Sequence, residues 1–262
     1  MFRTPFVAAI ALLAASPTLP RAAEPAAAAT PRHAYAAIEK VRWTYGEETY
    51  RGGLHRQLRF SRDERGHFNS SVGPDDAADA QAAIAAIERA HPGDAIAFSL
   101  TREAGTLACS GRAEDGGRAS GACRFDPDQG FAAGLARRGI APDDGDDLLA
   151  LTLVDARLAT VDGLTADGFR FDGAGDLIAV TALGVSPAYS DQLRGAGLRI
   201  DELGDLIAAK ALKIDAQWLG DMARAGYSNL AVGQAIQMRA LGVTPEYAMK
   251  MGRVLHAVHE LE

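Results

Sequence analysis

The chain has 262 residues, with 34 acidic residues against 27 Lys and Arg residues and a formal net charge of -7 at pH 7. Hydrophobic residues make up 48% of it, which is ordinary for a globular protein and allows one or two domains with a sizeable core. Because polyanion binding needs clustered cations, an acidic chain without a long Lys/Arg run is a poor candidate for a nucleic-acid-binding protein.

The first 23 residues are predicted to form a secretory signal peptide. Arg3 supplies the positive charge, and residues 6–15 form a short apolar segment. An uncleaved anchor is the alternative, but a bilayer span needs about 20 apolar residues. Residues 24–33, rich in Ala and Pro, are predicted to be a disordered linker. We therefore expect a bacterial periplasmic or secreted protein with no membrane span after signal removal.

Residues 34–123 are predicted to mix short helices with strands. Flanking Gly and Pro residues and local composition divide this segment into four short elements. They are a short helix over residues 34–43, strands over residues 54–60 and 67–72, and an Ala-rich helix over residues 75–91 that a Pro-Gly pair stops.

Residues 95–125 form the clearest β region. Ile96 and Phe98 alternate with small neighbours, as expected for a half-buried strand. Two further runs flank the sequence Asp-Gly-Gly at residues 115–117, which suits a three-residue hairpin loop with glycine in the left-handed conformation. Counting back along both strands from that loop places Cys109 opposite Cys123.

These two cysteines are the only ones in the chain. An even count and facing positions predict a disulfide in an exported protein, with a contribution on the order of 3 kcal/mol. A one-residue change of register would instead separate two unbonded thiols onto opposite faces, and this alternative stays open. A redox-active pair is not expected, because the close CxxC spacing of that chemistry is absent.

From residue 124 onward, positions of different chemical kinds recur every 29 residues. Such a shared period is typical of tandem structural repeats, here of two helices each. The predicted fold class is therefore α+β: a small β-sheet or hairpin segment over residues 34–123, followed by an all-α array of two-helix repeats over residues 124–262. The related positions are Gly139, Gly168, Gly197 and Gly226; Leu135, Leu164, Leu193 and Met222; and Leu149, Ile178, Ile207 and Ile236.

Helix starts and ends can be placed within each repeat. Ser186-Pro187 and Thr244-Pro245 predict the N-terminus of a first helix, and Asp126-Pro127 and Asp215 offer looser versions of that start. The recurring glycine is predicted to end this helix in the left-handed conformation. The aromatic of each first helix is expected to pack in the core, with stacking on a ligand as the alternative. The predicted repeat core is Phe131, Leu135, Leu164, Tyr189, Leu193, Ile207, Trp218, Met222, Ile236 and Tyr247.

Three phrases carry a resemblance: LTREAGTLACSGRAEDGGRASGACRF, FAAGLARRGI and ALGVTPEYAMKM. They resemble the accessory C-terminal region of bacterial antirepressor-type, β-lactam-sensing membrane metallopeptidases and of their free-standing exported relatives. In that arrangement a glycine-rich hairpin precedes repeats of the form LxxxGVTPEYxxxLxxxGYxxL. The likeness covers about residues 95–252. The zinc-binding HExxH of the peptidase part is absent, so the resemblance does not imply peptidase activity.

Other chemistry has little support in the sequence. No GxSxG motif and no phosphate-binding glycine loop followed by Lys and Ser or Thr occurs. His256, His259 and Glu260 are weak candidates for a metal site, with an ordinary polar helix end as the alternative. The acidic residues 143–147 lack the pattern of an EF-hand loop, and acidic residues also favour a helix start. We predict no cofactor, no metal and no enzymatic activity.

A repeat array usually presents a surface for recognition, so the sequence favours a non-enzymatic exported module that binds a protein or peptide in a groove between units. Two alternatives stay open. The resemblance implies a sensor or regulatory subunit acting with a membrane peptidase. A hydrolase with an unrecognised site would require a pocket in which His, Asp or Ser side chains converge.

Overall fold

The computed structural model describes residues 34–50, 53–62, 69–72 and 78–251. The predicted signal peptide and linker lie outside the described residues, as do His256, His259 and Glu260. Within the described parts, an antiparallel sheet is followed by an array of helices. The α+β class is therefore confirmed.

The strands form one sheet, and α1 connects its two edges. The spatial order is β3-β2-β1-β6-β5-β4, and all pairs are antiparallel. Because β3 and β4 lie at opposite edges, α1 crosses one face of the sheet and buries its Ile84 and Ile87 there. The elements are β1 Ile38–Tyr50, β2 Gly53–Ser61, β3 Asn69–Val72, α1 Ala78–Arg89, β4 Ala95–Arg102, β5 Gly105–Glu114 and β6 Arg118–Pro127.

The helix predicted over residues 34–43 is wrong, because β1 begins at Ile38. The pairing of β1 with β6 shifts register between Ile38 and Val41, where Lys40 has a φ of 61°. This bulge turns Ile38 and Val41 to the same buried side although they are three residues apart. A spacing of three is also that of a helix face, which explains the misassignment.

The predicted hairpin register is confirmed. Glu114 lies opposite Arg118, and Cys109 lies opposite Cys123. The two sulfur atoms are at bonding distance, and both side chains are buried in the face that α1 covers. The predicted cysteine pair therefore forms across two neighbouring strands.

The indole of Trp43 extends across three strands on the buried face. It lies over Gly121 and Gly111, which face each other on β6 and β5. Its Nε1 donates a hydrogen bond of 3.1 Å to the carbonyl oxygen of Ser110. Its ring meets that of Phe98 on β4 edge-on, with centroids 5.1 Å apart. Trp43 of β1 thus contacts each strand between β1 and the sheet edge, namely β6, β5 and β4.

The helices recur with the spacing found in the sequence. First and second helices alternate, and equivalent helices begin 29 residues apart. The bounds are α2 Gln129–Arg137, α3 Gly145–Leu153, α4 Leu158–Ala166, α5 Ala174–Leu183, α6 Pro187–Gly195, α7 Leu203–Ala211, α8 Ala216–Arg224 and α9 Val232–Ala240, and residues 245–251 are also helical. None of the described helices has the length and apolar character needed to cross a bilayer.

Side-chain caps start three of the first helices, α2, α6 and α8. Ser186 and Asp215 accept hydrogen bonds from the amides of Tyr189 and Trp218. For α2 the expected start at Asp126-Pro127 is wrong, since those residues end β6. Asp128 caps α2 instead, accepting a hydrogen bond of 2.7 Å from the amide of Phe131.

The predicted repeat core is mostly buried, but it does not extend to Tyr247. Tyr189 and Trp218 are each 6% exposed, whereas Tyr247 is 54% exposed. Arg239 covers the ring of Trp218 from 21 residues further along the chain. Among the described residues, no cation lies over the ring of Tyr247 in this way.

A second set of equivalent positions adopts the left-handed conformation at the ends of the second helices. Asp155, Gly184, Lys213 and Gly242 have φ values of 58°, 66°, 56° and 72°. Only two of the four are glycine, although the backbone requires the same conformation at each. The sequence therefore places strained residues at Asp155 and Lys213.

Lys213→Gly is expected to raise the free energy of unfolding by about 1 kcal/mol, because glycine adopts a positive φ without steric cost. Urea denaturation of the variant and the wild type would measure the change. Gly184→Ala is the matched control and should lower stability by a similar amount. A loss of stability in Lys213→Gly would contradict this assignment of strain.

The turn between β4 and β5 joins the sheet to the array. The guanidinium of Arg102 donates to the carbonyl oxygens of Thr152 and Leu153 at the end of α3, at 3.0 and 2.8 Å. Glu103 accepts a hydrogen bond of 3.0 Å from the amide of Leu158, the first residue of α4. The sheet and the first helices consequently share one hydrophobic core.

Candidate functional site

The four units are the helix pairs α2–α3, α4–α5, α6–α7 and α8–α9, and the loop of each unit joins its first helix to its second. The loops of the first three units have the same arrangement. After the left-handed glycine, the loop turns two apolar side chains, two positions apart, toward the helices. The amide next to that glycine donates to the carbonyl oxygen of a residue in the preceding helix, as in a helix C-terminal cap. The apolar pairs are Ile140 and Pro142, Phe169 and Phe171, and Leu198 and Ile200.

The fourth loop departs from this design. Tyr227 occupies the position of Leu198 but is 36% exposed, and Asn229 replaces the buried Ile200. Asn229 is exposed and has a φ of 59°, a conformation that asparagine tolerates better than a branched apolar residue does. The fourth loop therefore does not pack as its predecessors do, and space opens beside it.

A groove of about 990 Å³ lies between the third loop and the fourth. A smaller pocket of about 160 Å³ shares Gly197, Asn229 and Leu230 with it. The two form one continuous depression, which is large enough for a few residues of an extended peptide. The groove is lined by Arg194, Gly197, Arg199, Ile200, Asp201, Asn229, Leu230, Ala231 and Val232.

The floor of the groove is apolar and its third-loop wall is charged. Ile200, Leu230 and Val232 are buried or half-buried, so their exposed parts face the depression. Arg199 and Asp201 stand on the wall as exposed side chains. An apolar floor with a few polar groups is typical of a recognition site, in which the polar groups fix the orientation of the ligand.

The two arginines of the groove have different roles. Arg194 is held in place: it donates to the carbonyl oxygen of Asp167 at 3.2 Å, approaches Asp191 at 3.6 Å and lies 5.5 Å from the ring centre of Phe169. Arg199 has no ion pair with any of the described residues. Its guanidinium is therefore the open cationic group of the groove.

Contacts between successive units also hold the array together. The hydroxyl of Tyr189 donates to the carbonyl oxygen of Ile214 at 2.7 Å, and Lys210 lies 4.4 Å from its ring centre. Burial, with a smaller effect of Asp215, raises the pKa of Tyr189 to about 12. The tyrosine is consequently neutral at physiological pH and acts as a fixed brace between units.

Two of the acidic residues 143–147 accept hydrogen bonds from backbone amides at and just before the start of α3. Asp144 accepts hydrogen bonds from the amides of Asp146 and Asp147, and Asp147 accepts one from the amide of Asp143. Asp146 pairs with Arg62 of the sheet. Over the described residues, no group of three or more His, Cys, Asp and Glu side chains is arranged to hold a metal ion.

The groove contains little of the chemistry needed for catalysis. Of the described residues that line the groove and the smaller pocket, Ser228 carries a hydroxyl nucleophile, but none is His or Cys. A general base beside the hydroxyl is the usual requirement for nucleophilic catalysis. The arrangement instead offers apolar contacts, a cation, an amide and backbone groups, which suit the recognition of a polypeptide.

The residues predicted from sequence lie behind this groove and not in it, apart from Gly197. The repeat core holds the units together, and the cysteine pair lies in the sheet. Sequence reasoning missed Arg199, Tyr227 and Asn229. The available indication was the break at residues 227 and 229, where polar or amphipathic residues replace the apolar pair of the earlier units.

Compared with protein-family models, with curated proteins and with solved structures, the chain matches none. The resemblance to the accessory region of membrane metallopeptidases therefore remains an expectation from the sequence. The geometry of the groove has to support any proposal on function.

Proposed function

We propose that this chain is an exported, non-enzymatic interaction module that binds an extended segment of another protein in the groove between its third and fourth units. The observation that carries the proposal is the fourth loop, whose Tyr227 and Asn229 leave the depression open. The apolar floor would bury side chains of the bound segment, and Asn229 would bond its backbone.

The open guanidinium of Arg199 supports a partner with a carboxylate at the contact. The chain as a whole carries a net charge of -7, whereas the lining of the groove has two arginines against one aspartate. An acidic partner would be repelled by most of the surface and attracted here. Such a charge arrangement orients a partner more than it adds affinity.

Export is supported by two observations of different kinds. The predicted signal peptide occupies the first 23 residues, and the cysteines lie at bonding distance in the sheet. Disulfides persist in oxidising compartments such as the bacterial periplasm. The proposed location is therefore the periplasm or the medium.

Site-specific crosslinking in an exporting bacterium tests the proposal. A photocrosslinking amino acid placed at Ser228, in the smaller pocket that adjoins the groove, should give a defined crosslinked protein. The same amino acid at the exposed Gln217 of α8, outside the groove, should not. Equal labelling at both sites, or none at Ser228 together with turnover of a small substrate, would remove the proposal.

Arg199→Glu is expected to lower the crosslinking yield at Ser228 at least about tenfold, because the reversed charge repels a carboxylate of the partner. Arg170→Glu is the matched control: Arg170 is exposed at the equivalent position of the preceding loop, outside the groove. Immunoblotting of the crosslinked species would measure both. A similar loss in the two variants would argue for a general charge effect and against the groove.

A further inference from the structure

Among the described residues, the strand β4 forms one edge of the sheet and has no partner along its outer side. Its other side pairs with β5 without interruption, from Ala95 opposite Arg112 to Arg102 opposite Gly105. No described residue outside β5 makes a backbone hydrogen bond to β4. An edge of eight residues is therefore available for pairing.

The outward-facing groups of β4 can be identified from its neighbours. One residue before the strand, the carbonyl oxygen of Asp94 accepts a hydrogen bond of 2.9 Å from the amide of Ala113 on β5. Bonded positions alternate along an antiparallel ladder. The residues whose N–H and C=O groups face away from β5 are therefore Ala95, Ala97, Ser99 and Thr101.

Within the part of the chain that the structure describes, no residue protects this edge. Natural edge strands are usually blocked by Lys, proline, a bulge or a covering segment. From Ala95 to Thr101 the strand has no charged residue and no proline, and its pairing with β5 shows no bulge. The four outward-facing residues carry small, exposed side chains that would not obstruct an incoming strand.

We propose that β4 pairs with β4 of a second copy of this chain, antiparallel about a two-fold axis at Phe98. This register sets Ala95 opposite Thr101 of the second copy and Ala97 opposite Ser99 of the second copy. It is the register in which all four outward-facing residues find equivalent partners. A two-fold interface of this kind is self-complementary, because each residue pair occurs twice.

The side chains of β4 agree with this symmetry. Phe98 is half-buried against Trp43, and its exposed part would meet the same residue of the second copy in a closely spaced pair. No like charges come opposite each other over the paired residues. The proposal does not depend on the groove between the third and fourth units.

The molar mass of the full chain across a concentration series tests the pairing. Sedimentation equilibrium should give close to twice the 27.5 kDa chain mass at high concentration and dissociation on dilution. Ala97→Lys, on the edge, should weaken dimerisation at least about tenfold, since a lysine there blocks strand addition. Ala108→Lys, on the same exposed face but on the interior strand β5, should leave the dissociation constant unchanged.

A second variant separates pairing from folding. Ser99→Pro removes an outward-facing N–H and no bond to β5, so it should abolish the dimer and keep the circular dichroism of the wild type. In the wild type, the amides of Ala97 and Ser99 should exchange more slowly as concentration rises. A monomer at every concentration, or a dimer that survives both edge variants, would overturn the proposal. A strand of a different protein on this edge, with the chain itself monomeric, would overturn it too.

Discussion

Replacing Arg102 with methionine is expected to lower the free energy of unfolding by about 3–5 kcal/mol. The guanidinium is 3% exposed, lies 3.2 Å from an oxygen of Asp79 and donates to the carbonyl oxygens of Thr152 and Leu153. Methionine keeps about the same side-chain length but takes the positive charge away from Asp79 and removes the guanidinium hydrogen bonds to both carbonyl oxygens, of which that of Thr152 also accepts from the amide of Asp155. Since a domain is stable by about 5–15 kcal/mol, this is a large fraction of the total.

Urea denaturation followed by circular dichroism would measure the loss. Arg124→Met is the matched control, because Arg124 is also on the sheet and pairs with Asp126 and Glu39, but is 51% exposed. Exposed pairs contribute about 0–1 kcal/mol, so this variant should stay close to the wild type. If the two substitutions cost the same, the sheet and the array are not joined through Arg102.

Gly121→Ala is expected to destabilise the fold by about 3 kcal/mol or more, at the upper end of what overpacking costs. An added Cβ would overlap the carbonyl oxygen of Ser110 and lie 2.6 Å from both the Cα of Gly111 and Nε1 of Trp43. Two of these neighbours are backbone of the adjoining strand, so no change of rotamer relieves the contact. Strands β5 and β6 would have to separate beneath the indole.

Thermal unfolding, with the fluorescence of the buried Trp43 as the probe, would report the effect. Gly46→Ala is the control within the same sheet, since an added Cβ there meets Arg118 at an ordinary 3.5 Å. That variant should remain within about 0.5 kcal/mol of the wild type, as most surface changes do. Equal stability of the Gly121 and Gly46 variants would show that Trp43 does not lie over β5 and β6.

The elements predicted well from sequence are those held by short-range interactions. The register of the hairpin follows from a three-residue loop, and it placed Cys109 opposite Cys123. Likewise, Ser186 and Asp215 start helices because their side chains bond amides only three residues away. Such contacts join residues only a few positions apart, so they can be predicted from the local sequence pattern.

The strand β1 was misassigned because its pattern depends on a partner. The bulge at Lys40 gives Ile38 and Val41 a helix-like spacing, and it exists only where β1 pairs with β6, more than 70 residues away in the chain. The same holds for the contact of Trp43 with Phe98. Sequence spacing alone cannot identify the partner strand that decides which face a residue occupies.

The amino-acid sequence by itself determined the caps of α6 and α8 and the hairpin register, since each depends on neighbours within a few residues, and it showed the period of 29 residues directly in the recurring positions. Tertiary structure alone decided that the fourth loop opens a groove beside Arg199, that Arg102 joins sheet to array, and that β4 is the edge strand without a partner among the described residues. These features arise where distant segments meet or fail to meet. Their physical basis is packing between elements, which local pattern does not encode.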